Sequence, residues 1–112
     1  MAENTLIADA HFFDIAEKLC LGKGSWVAGR DSQFWTHGAG ARDRNIEIGE
    51  HCYIGSAARF APGSELGDNI LVAMGSVVTG KLNTSNAMIG GVPARLIKEN
   101  HDWCSKQLIK NP

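Results

Sequence analysis

The sequence predicts an all-β solenoid, a parallel β-helix, on two observations. From Ile48 onward every sixth residue is apolar, in the order Ile48, Ile54, Phe60, Leu66, Val72 and Val78. The residue that follows each of them is small: Gly49, Gly55, Ala61, Gly67, Ala73 and Thr79. Neither the period of a helix nor the simple alternation of a strand produces this pattern. A repeat of fixed length indicates a repeat architecture, and a six-residue repeat indicates a parallel β-helix.

The repeat has a direct physical meaning. Each hexad forms one short strand and one turn, and three hexads close one roughly triangular coil. The apolar residue points into the prism and stacks on its counterpart in the next coil, whereas the small residue lies at a turn where a larger side chain would clash. Ordinary hairpins would have no reason to keep one phase over so many hexads. The same phase recurs at Ile15, Leu21 and Val27, so the coils are predicted over about residues 6–92.

Length and composition place these coils in a single domain, residues 1–112. The chain is 44% hydrophobic and carries a formal net charge of -1. Its basic residues are scattered and balanced by acidic ones, so nucleic acid is not expected as a partner, and no charge-free run is long enough to span a bilayer. The N-terminus lacks the basic cluster of a signal peptide, and the three scattered cysteines argue against a disulfide framework. A cytoplasmic location is therefore predicted.

The two ends of the solenoid differ. After residue 92 the pattern changes to Leu96, Ile97, His101, Cys104 and Leu108, a spacing that predicts a capping helix over about residues 93–110. The first coil starts at about residue 6 with no helical segment before it. Because an open solenoid end needs a cap, we expect either an oligomer or a chain shorter than its relatives.

The hexad rhythm fails once, around His37. The phase from Val27 predicts Gln33 as an inward residue, but the next regular hexad begins at Ile48, fifteen positions later, which is two hexads and three extra residues. An insertion of three does not fit a coil of fixed perimeter, so a protruding loop is predicted over residues 34–46. This loop would lift Trp35, Thr36 and His37 off the prism.

The ordered motifs resemble those of a known family. The segment IGEHCYIGSAARFAPGSELGDNILVAMGSVVTGKLNTSNAMIGGVPARLIK, residues 48–98, resembles the last coils of the hexapeptide-repeat acyltransferases, and the likeness extends over residues 15–98. Within the family, the WTHG loop is most similar to the O-acetyltransferases that act on sugars. The resemblance implies a left-handed β-helix, acetyl-CoA as acyl donor and a homotrimer with active sites between subunits. The stretch KLNTSNAMIG departs from the family, which usually has prolines there.

The resemblance also implies a catalytic role for His37, because relatives carry their catalytic histidine on a loop from the matching coil. Acyl transfer from a thioester to an alcohol requires a base for the hydroxyl proton, and histidine is the usual base near neutral pH. No enzyme nucleophile is needed if both substrates are held together in a ternary complex. The alternative is a surface-loop histidine with no role.

A second group of residues lies about one coil before the loop. His11 and Asp14, in HFFD, could orient the imidazole or bind the acceptor hydroxyls, and we assign them to the acceptor site together with Trp35. The alternative is that they are ordinary polar residues of an exposed first coil. His51 is predicted to point outward and His101 to lie on the surface of the helix, and neither is given a chemical role.

The cofactor site is predicted from the resemblance. Positions that match pantetheine-contacting residues of the family are Ser56, Ala73, Met74, Gly75 and Thr79. Arg95 and Lys98 match its cationic positions near the phosphates of CoA, and Lys81 is added to them because of its charge. The turns of a β-helix require small residues in any case, and exposed cations are common, so each residue taken alone has a structural alternative.

Two other classes of function remain to be weighed. The first is a non-catalytic β-helix that trimerises or serves as a scaffold. The second stays within the transferase class, with an amine or an antibiotic hydroxyl as the acceptor. A zinc carbonic anhydrase of the same architecture is rejected, because it needs closely spaced histidine ligands and the four histidines form no such pair. No metal site is predicted.

Overall fold

A computed structural model describes residues 3–14, 16–39 and 44–103. These residues form fourteen short β-strands. In chain order they are β1 (Leu6–Ile7), β2 (Phe12–Asp14), β3 (Leu19–Leu21), β4 (Trp26–Val27), β5 (Gln33–Trp35), β6 (Ile46–Ile48), β7 (Tyr53–Ile54), β8 (Arg59–Phe60), β9 (Glu65–Leu66), β10 (Ile70–Val72), β11 (Val77–Val78), β12 (Lys81–Leu82), β13 (Ala87–Gly90) and β14 (Arg95–Lys98).

The strands assemble into three sheets. The first has the order β1-β4-β7-β10-β13-β14, the second β11-β8-β5-β2 and the third β12-β9-β6-β3. Apart from the antiparallel pair β13–β14, neighbouring strands are parallel and three places apart in the chain. The chain thus winds around a triangular prism with one coil for every three strands. The predicted all-β parallel β-helix is confirmed.

A column of side chains fills the prism. The six apolar residues that define the repeat are each exposed by 5% or less. Phe34 stacks between Phe13 and Phe60, with ring centroids 4.9 and 4.7 Å apart. Complete burial of a large apolar side chain contributes about 1.5–3 kcal/mol, so this column is the main stabilising feature of the fold.

Small residues at the corners let neighbouring coils approach closely. A Cβ atom added to Gly49 would lie 2.4 Å from the carbonyl oxygen of Gly67 in the next coil. Buried serines satisfy polar backbone groups at the corners. Ser25 Oγ donates to the Gly49 carbonyl at 2.7 Å and accepts from the Cys52 N–H at 2.9 Å. The small positions of the repeat therefore have a steric cause, as the sequence predicts.

The phase of the early coils differs from the prediction. The buried residue of β5 is Phe34 and not Gln33, because Val27 and Phe34 are seven positions apart, one more than a hexad. In β2 the residue packed against the core is Phe13. Ile15, which was predicted to face inward, lies outside the described residues.

The excursion after β5 is also longer than predicted. Phe34 and Ile48 both face the core and are fourteen positions apart, whereas their stacking partners Phe60 and Leu66 are six apart. Eight extra residues therefore leave the prism, rather than three. The bounds predicted for the loop, 34–46, are nevertheless too wide, since the first two of these residues belong to β5 and the last belongs to β6.

The capping helix predicted over residues 93–110 is wrong for the part that is described. Residues 93–102 contain no helix, and β14 lies within them, while residues 104–110 fall outside the described ranges. β13 is the last parallel strand of the first sheet, so its outer edge would carry unpaired backbone groups if no further strand paired with it. The returning β14 pairs with that edge.

Trp103 packs against the side of the prism and not against its end. Its ring contacts Trp26 and Tyr53, with centroids 5.5 and 5.2 Å away, and its Nε1 donates to the His51 carbonyl at 2.6 Å. His101, expected on a helix surface, is buried. This segment covers the outer face of the first sheet.

No described segment covers the end of the prism at the first coil. β1, β2 and β3 each form an edge of their sheet among the described strands. A cavity of about 450 Å³ enters there, lined by Ile7, Phe13, Glu17, Leu19, Leu21, Val27, Phe34 and Ile48. None of the described segments forms a helix that is long and apolar enough to cross a membrane.

Candidate active site

The pairing of β2 with β5 builds the site. Asp14 is the last residue of β2, and its register partner is Trp35, the last residue of β5. Both strands end at the corner between the second and third sheets. This register places the chain that leaves β5, Thr36 and His37, beside Asp14.

His37 and Asp14 form a direct contact. His37 Nδ1 lies 2.5 Å from Asp14 Oδ2, although the residues are 23 positions apart. The Asp14 side chain is 17% exposed and that of His37 is 56% exposed. A carboxylate at Nδ1 holds the ring proton on that nitrogen, which leaves Nε2 as a hydrogen-bond acceptor. The pair therefore presents a basic nitrogen at an exposed corner.

Thr36 fixes the backbone immediately before His37. It is fully buried, and its Oγ1 donates to the Asp14 carbonyl at 2.7 Å and accepts from the Glu17 N–H at 2.9 Å. The Thr36 N–H donates to Asp14 Oδ2 at 3.3 Å. The expectation that the loop lifts Trp35 and Thr36 off the prism is wrong, since Trp35 stays in β5. The missed signal is strand alternation, because Thr36 follows inward Phe34 by two positions.

The loop is tied to the first coil at its far end as well. The Arg44 guanidinium forms an ion pair with Glu17, and Asn45 Oδ1 accepts from the Lys18 N–H at 3.1 Å. Residues 40–43 of the loop fall outside the described ranges. The two anchors leave His37 at the start of the excursion, close to the prism.

An aromatic pair lies on the outer face of the second sheet beside Asp14. Phe12 and Trp35 are 47% and 37% exposed, and their ring centroids are 4.7 Å apart with an interplanar angle of 33°. Trp35 Nε1 donates to Gln33 Oε1 at 3.1 Å. Trp35 was predicted from the sequence as an acceptor-site residue, whereas Phe12 and Gln33 were not.

His11 does not join this group. It precedes β2, whereas Asp14 ends it, so the two residues lie at opposite corners of the second sheet. His11 Nδ1 accepts from the Ser32 N–H at 3.1 Å. His51 is exposed, as predicted. Of the two residues assigned together from HFFD, only Asp14 contacts His37.

Most predicted cofactor residues gather at one corner, between the first and second sheets. Ser56 and Gly75 stack there, with the Gly75 N–H donating to the Ser56 carbonyl at 2.9 Å. Ala73 and the exposed Met74 lead into the same turn. Arg95 begins β14 beside this corner, because the Ala94 N–H donates to the carbonyl of Val77 at 2.7 Å.

The other predicted cofactor residues lie elsewhere. Thr79 follows β11 and is exposed at the corner between the second and third sheets. Lys81 Nζ is ion-paired with Glu65 Oε2 at 2.5 Å. Lys98 ends β14 opposite Met88. The eight predicted residues are therefore distributed over both corners of the second sheet, the third sheet and the returning strand.

His37 and the Ser56–Gly75 corner lie at opposite edges of the second sheet within one chain. His37 follows the end of β5, whereas Ser56 and Gly75 precede the starts of β8 and β11 in the same sheet. Within the described ranges, no three His, Cys, Asp or Glu side chains converge as metal ligands.

Known proteins resemble this chain both in sequence and in fold. No family model matches the chain. The galactoside O-acetyltransferase of Escherichia coli K12 is 40% identical over 57 residues, which are 51% of this chain and 28% of that protein. This chain thus spans less than a third of the length of that relative.

Solved structures share the fold over most of the chain. The maltose O-acetyltransferase of Clostridium difficile 630 superposes with a TM-score of 0.67 and 25% identity, covering 88% of this chain and 60% of that one. The serine acetyltransferase of Neisseria gonorrhoeae superposes with a TM-score of 0.74 and 23% identity, covering 96% and 40%. This second likeness concerns the fold alone. Together these matches confirm that the chain resembles the hexapeptide-repeat, left-handed β-helix acyltransferases, sugar O-acetyltransferases among them.

Proposed function

We propose that this chain is an acetyl-CoA-dependent O-acetyltransferase that transfers an acetyl group to a hydroxyl of a sugar or a similar small molecule. The observation that carries the proposal is the contact of His37 Nδ1 with Asp14 Oδ2 at an exposed corner of this fold. The likeness to galactoside and maltose O-acetyltransferases supports a sugar as the acceptor.

The chemistry follows from the free Nε2 of His37. This nitrogen accepts the proton of the acceptor hydroxyl as the oxygen attacks the thioester carbonyl. The new C–O bond forms, the C–S bond breaks, and the proton on the imidazolium passes to the departing sulfur of CoA. Asp14 is the positioning residue, since it holds the ring and stabilises the imidazolium in between.

The assembly forms part of the proposal. A homotrimer would bring the His37 edge of one chain against the Ser56–Gly75 edge of the next, because closed threefold symmetry joins two different edges of one subunit. Arg95 and Lys98 would then face the phosphates of CoA. A cytoplasmic location is proposed on the cysteines, of which Cys20 and Cys52 are free.

The experiment combines binding with transfer. Calorimetric titration with acetyl-CoA is expected to give saturable binding that Arg95→Ala weakens. CoA release is then measured with methyl galactoside, maltose and serine as acceptors. His37→Asn is expected to lower kcat by roughly 10²–10⁴-fold with acetyl-CoA binding retained.

His51→Asn is the matched control. His51 is an exposed histidine at a left-handed turn (φ 55°), and asparagine occupies the equivalent turn at Asn69 (φ 54°). This variant is expected to keep full activity. A protein that binds no acetyl-CoA at millimolar concentration would overturn the proposal and leave the β-helix as a scaffold.

A further inference from the structure

The aromatic pair Phe12–Trp35 is the largest exposed feature beside the candidate base. Both rings lie on the outer face of the second sheet, and they contact each other. Large aromatic side chains that stay exposed next to a reactive group indicate a binding surface more strongly than single apolar residues scattered over the surface do.

The pair is continuous with the Asp14–His37 contact. Phe12 and Asp14 are the two outward residues of β2, and Trp35 is the register partner of Asp14 and lies two positions before His37. When the reacting hydroxyl of an acceptor lies at Nε2 of His37, the rest of the acceptor molecule must contact the protein surface beside His37. On the side of the second sheet, this surface is the aromatic pair.

Gln33 adds a polar edge to the rings. Its Oε1 accepts from the indole N–H of Trp35. Since an indole nitrogen only donates, the orientation of the amide is defined, and its NH₂ group points away from the ring. The patch therefore combines two apolar faces with one outward donor.

The charges around the patch disfavour an amino acid as acceptor. A serine substrate would require a cation for its carboxylate. Arg59 is the register neighbour of Gln33, but its guanidinium donates to the Asp31 carbonyl at 2.8 Å, at the opposite edge of the sheet. Arg44, in the loop that follows His37, is ion-paired with Glu17, and Asp14, the register partner of Trp35, is acidic.

We propose that Phe12, Trp35 and Gln33 form the acceptor subsite and select a pyranose ring. The apolar C–H face of the sugar packs on the aromatic rings, and its hydroxyl rim meets the Gln33 amide and His37. This inference deepens the proposed function and rests on it for the transfer step, but sugar binding itself is measured without acetyl-CoA.

The first measurement is saturation-transfer NMR of methyl β-galactopyranoside and methyl α-glucopyranoside, without acetyl-CoA. Wild type is expected to transfer saturation to the ring protons, and Phe12→Ala and Trp35→Ala are expected to weaken binding by about tenfold. Leu96→Ala removes an exposed apolar side chain on β14 and is expected to change nothing. Equal binding by all four proteins would overturn the subsite.

The second measurement compares acceptors in the transfer assay. Phe12→Ala, which is two residues from Asp14 and leaves it in place, is expected to raise KM for the pyranosides by about tenfold and to lower kcat/KM for the pyranosides more than kcat/KM for glycerol. An equal loss with glycerol would contradict a selective role and indicate damage to the His37 site. If wild type transfers acetyl to pyranosides and Phe12→Ala has the same KM for them, the subsite is wrong and the proposed function stands.

The two proposals fail separately. If wild type transfers acetyl to none of the acceptors but binds pyranosides, and Phe12→Ala weakens that binding, the subsite is supported and the proposed function is wrong. Sedimentation velocity examines the remaining case. If Trp35→Ala dissociates an oligomer and no sugar binds to wild type, the rings are a contact between copies, and the subsite is wrong.

Discussion

At the scale of single residues, Asp14 has the most narrowly defined role. Its carboxylate contacts His37 Nδ1 and accepts from the Thr36 N–H. In Asp14→Asn the amide oxygen can still accept from the Thr36 N–H and from Nδ1–H of His37, but the negative charge that stabilises the imidazolium is lost. We expect kcat to fall by about 10²-fold or more, with KM for acetyl-CoA unchanged.

Asp9→Asn is the control for this prediction. Asp9 is an exposed carboxylate of the first coil and has no part in the site, so the variant should retain wild-type kcat. Steady-state CoA release at saturating acceptor distinguishes the two. Full activity of Asp14→Asn would show that His37 needs no positioning carboxylate.

Cys52 carries a pH prediction. Burial, the largest cause, raises the pKa of its thiol from 9.0 to about 11. The unfolded thiol therefore loses its proton first, and the stability that the neutral buried thiol provides is complete below pH 9 and is lost as the pH rises towards 11. Between pH 8 and 10.5 we expect wild type to lose roughly 1–2 kcal/mol more than Cys52→Ala. Urea unfolding of both proteins at the two pH values measures this difference, and equal losses would contradict it.

Of the candidate site, His37 and Asp14 were predictable from the sequence as separate residues, but their contact was not. The broken rhythm and the resemblance pointed to His37, and HFFD pointed to Asp14. Their contact depends on β2 pairing with β5 in one register, and the sequence phase was one residue out there because of the extra residue before Phe34. The same error hid the inward position of Thr36. The pairing of Lys81 with Glu65 was equally invisible, because it joins two coils.

At the scale of elements, regular coils were predictable and irregular ones were not. From Ile48 to Val78 the strands place an inward apolar residue at every sixth position, and steric limits at the corners enforce this spacing. Before Ile48 the corners hold extra residues, so counting alone misplaces the strands. The segment after Pro93 has a side-chain spacing compatible with a helix. It forms a strand because the backbone groups at the edge of β13 need hydrogen-bond partners. A side-chain pattern contains no information about those backbone groups.

Gly49 gives the element-scale prediction. In Gly49→Ala the new Cβ would meet the Gly67 carbonyl oxygen at 2.4 Å, so the coils must separate locally. We expect a loss of roughly 2 kcal/mol or more in thermal or urea unfolding. In Gly38→Ala the nearest atom is Pro62 Cγ at 3.4 Å, and this control should change stability by less than about 0.5 kcal/mol. A Gly49→Ala protein as stable as the control would refute the steric account of the repeat.

At the scale of the whole molecule, the separation of His37 from the Ser56–Gly75 corner has the largest consequence. The width of the second sheet lies between them in one chain, and Arg95 stands on the side of Ser56. If sites form between copies, each one takes His37 from one chain and Arg95 from its neighbour. Chains of two different inactive variants can then form active sites together in a mixed oligomer.

The test mixes His37→Asn and Arg95→Glu chains. Each variant alone should be inactive at low acetyl-CoA concentration. Chains unfolded together in equal amounts and refolded should regain about a quarter of wild-type activity, because a site is intact only when one neighbour supplies His37 and the other Arg95, each with a chance of about one half. The same variants refolded apart and then combined should stay inactive until their chains exchange. A co-refolded mixture with no activity would place each site within a single chain, and the two edges of the second sheet would then have to be bridged by the substrates themselves.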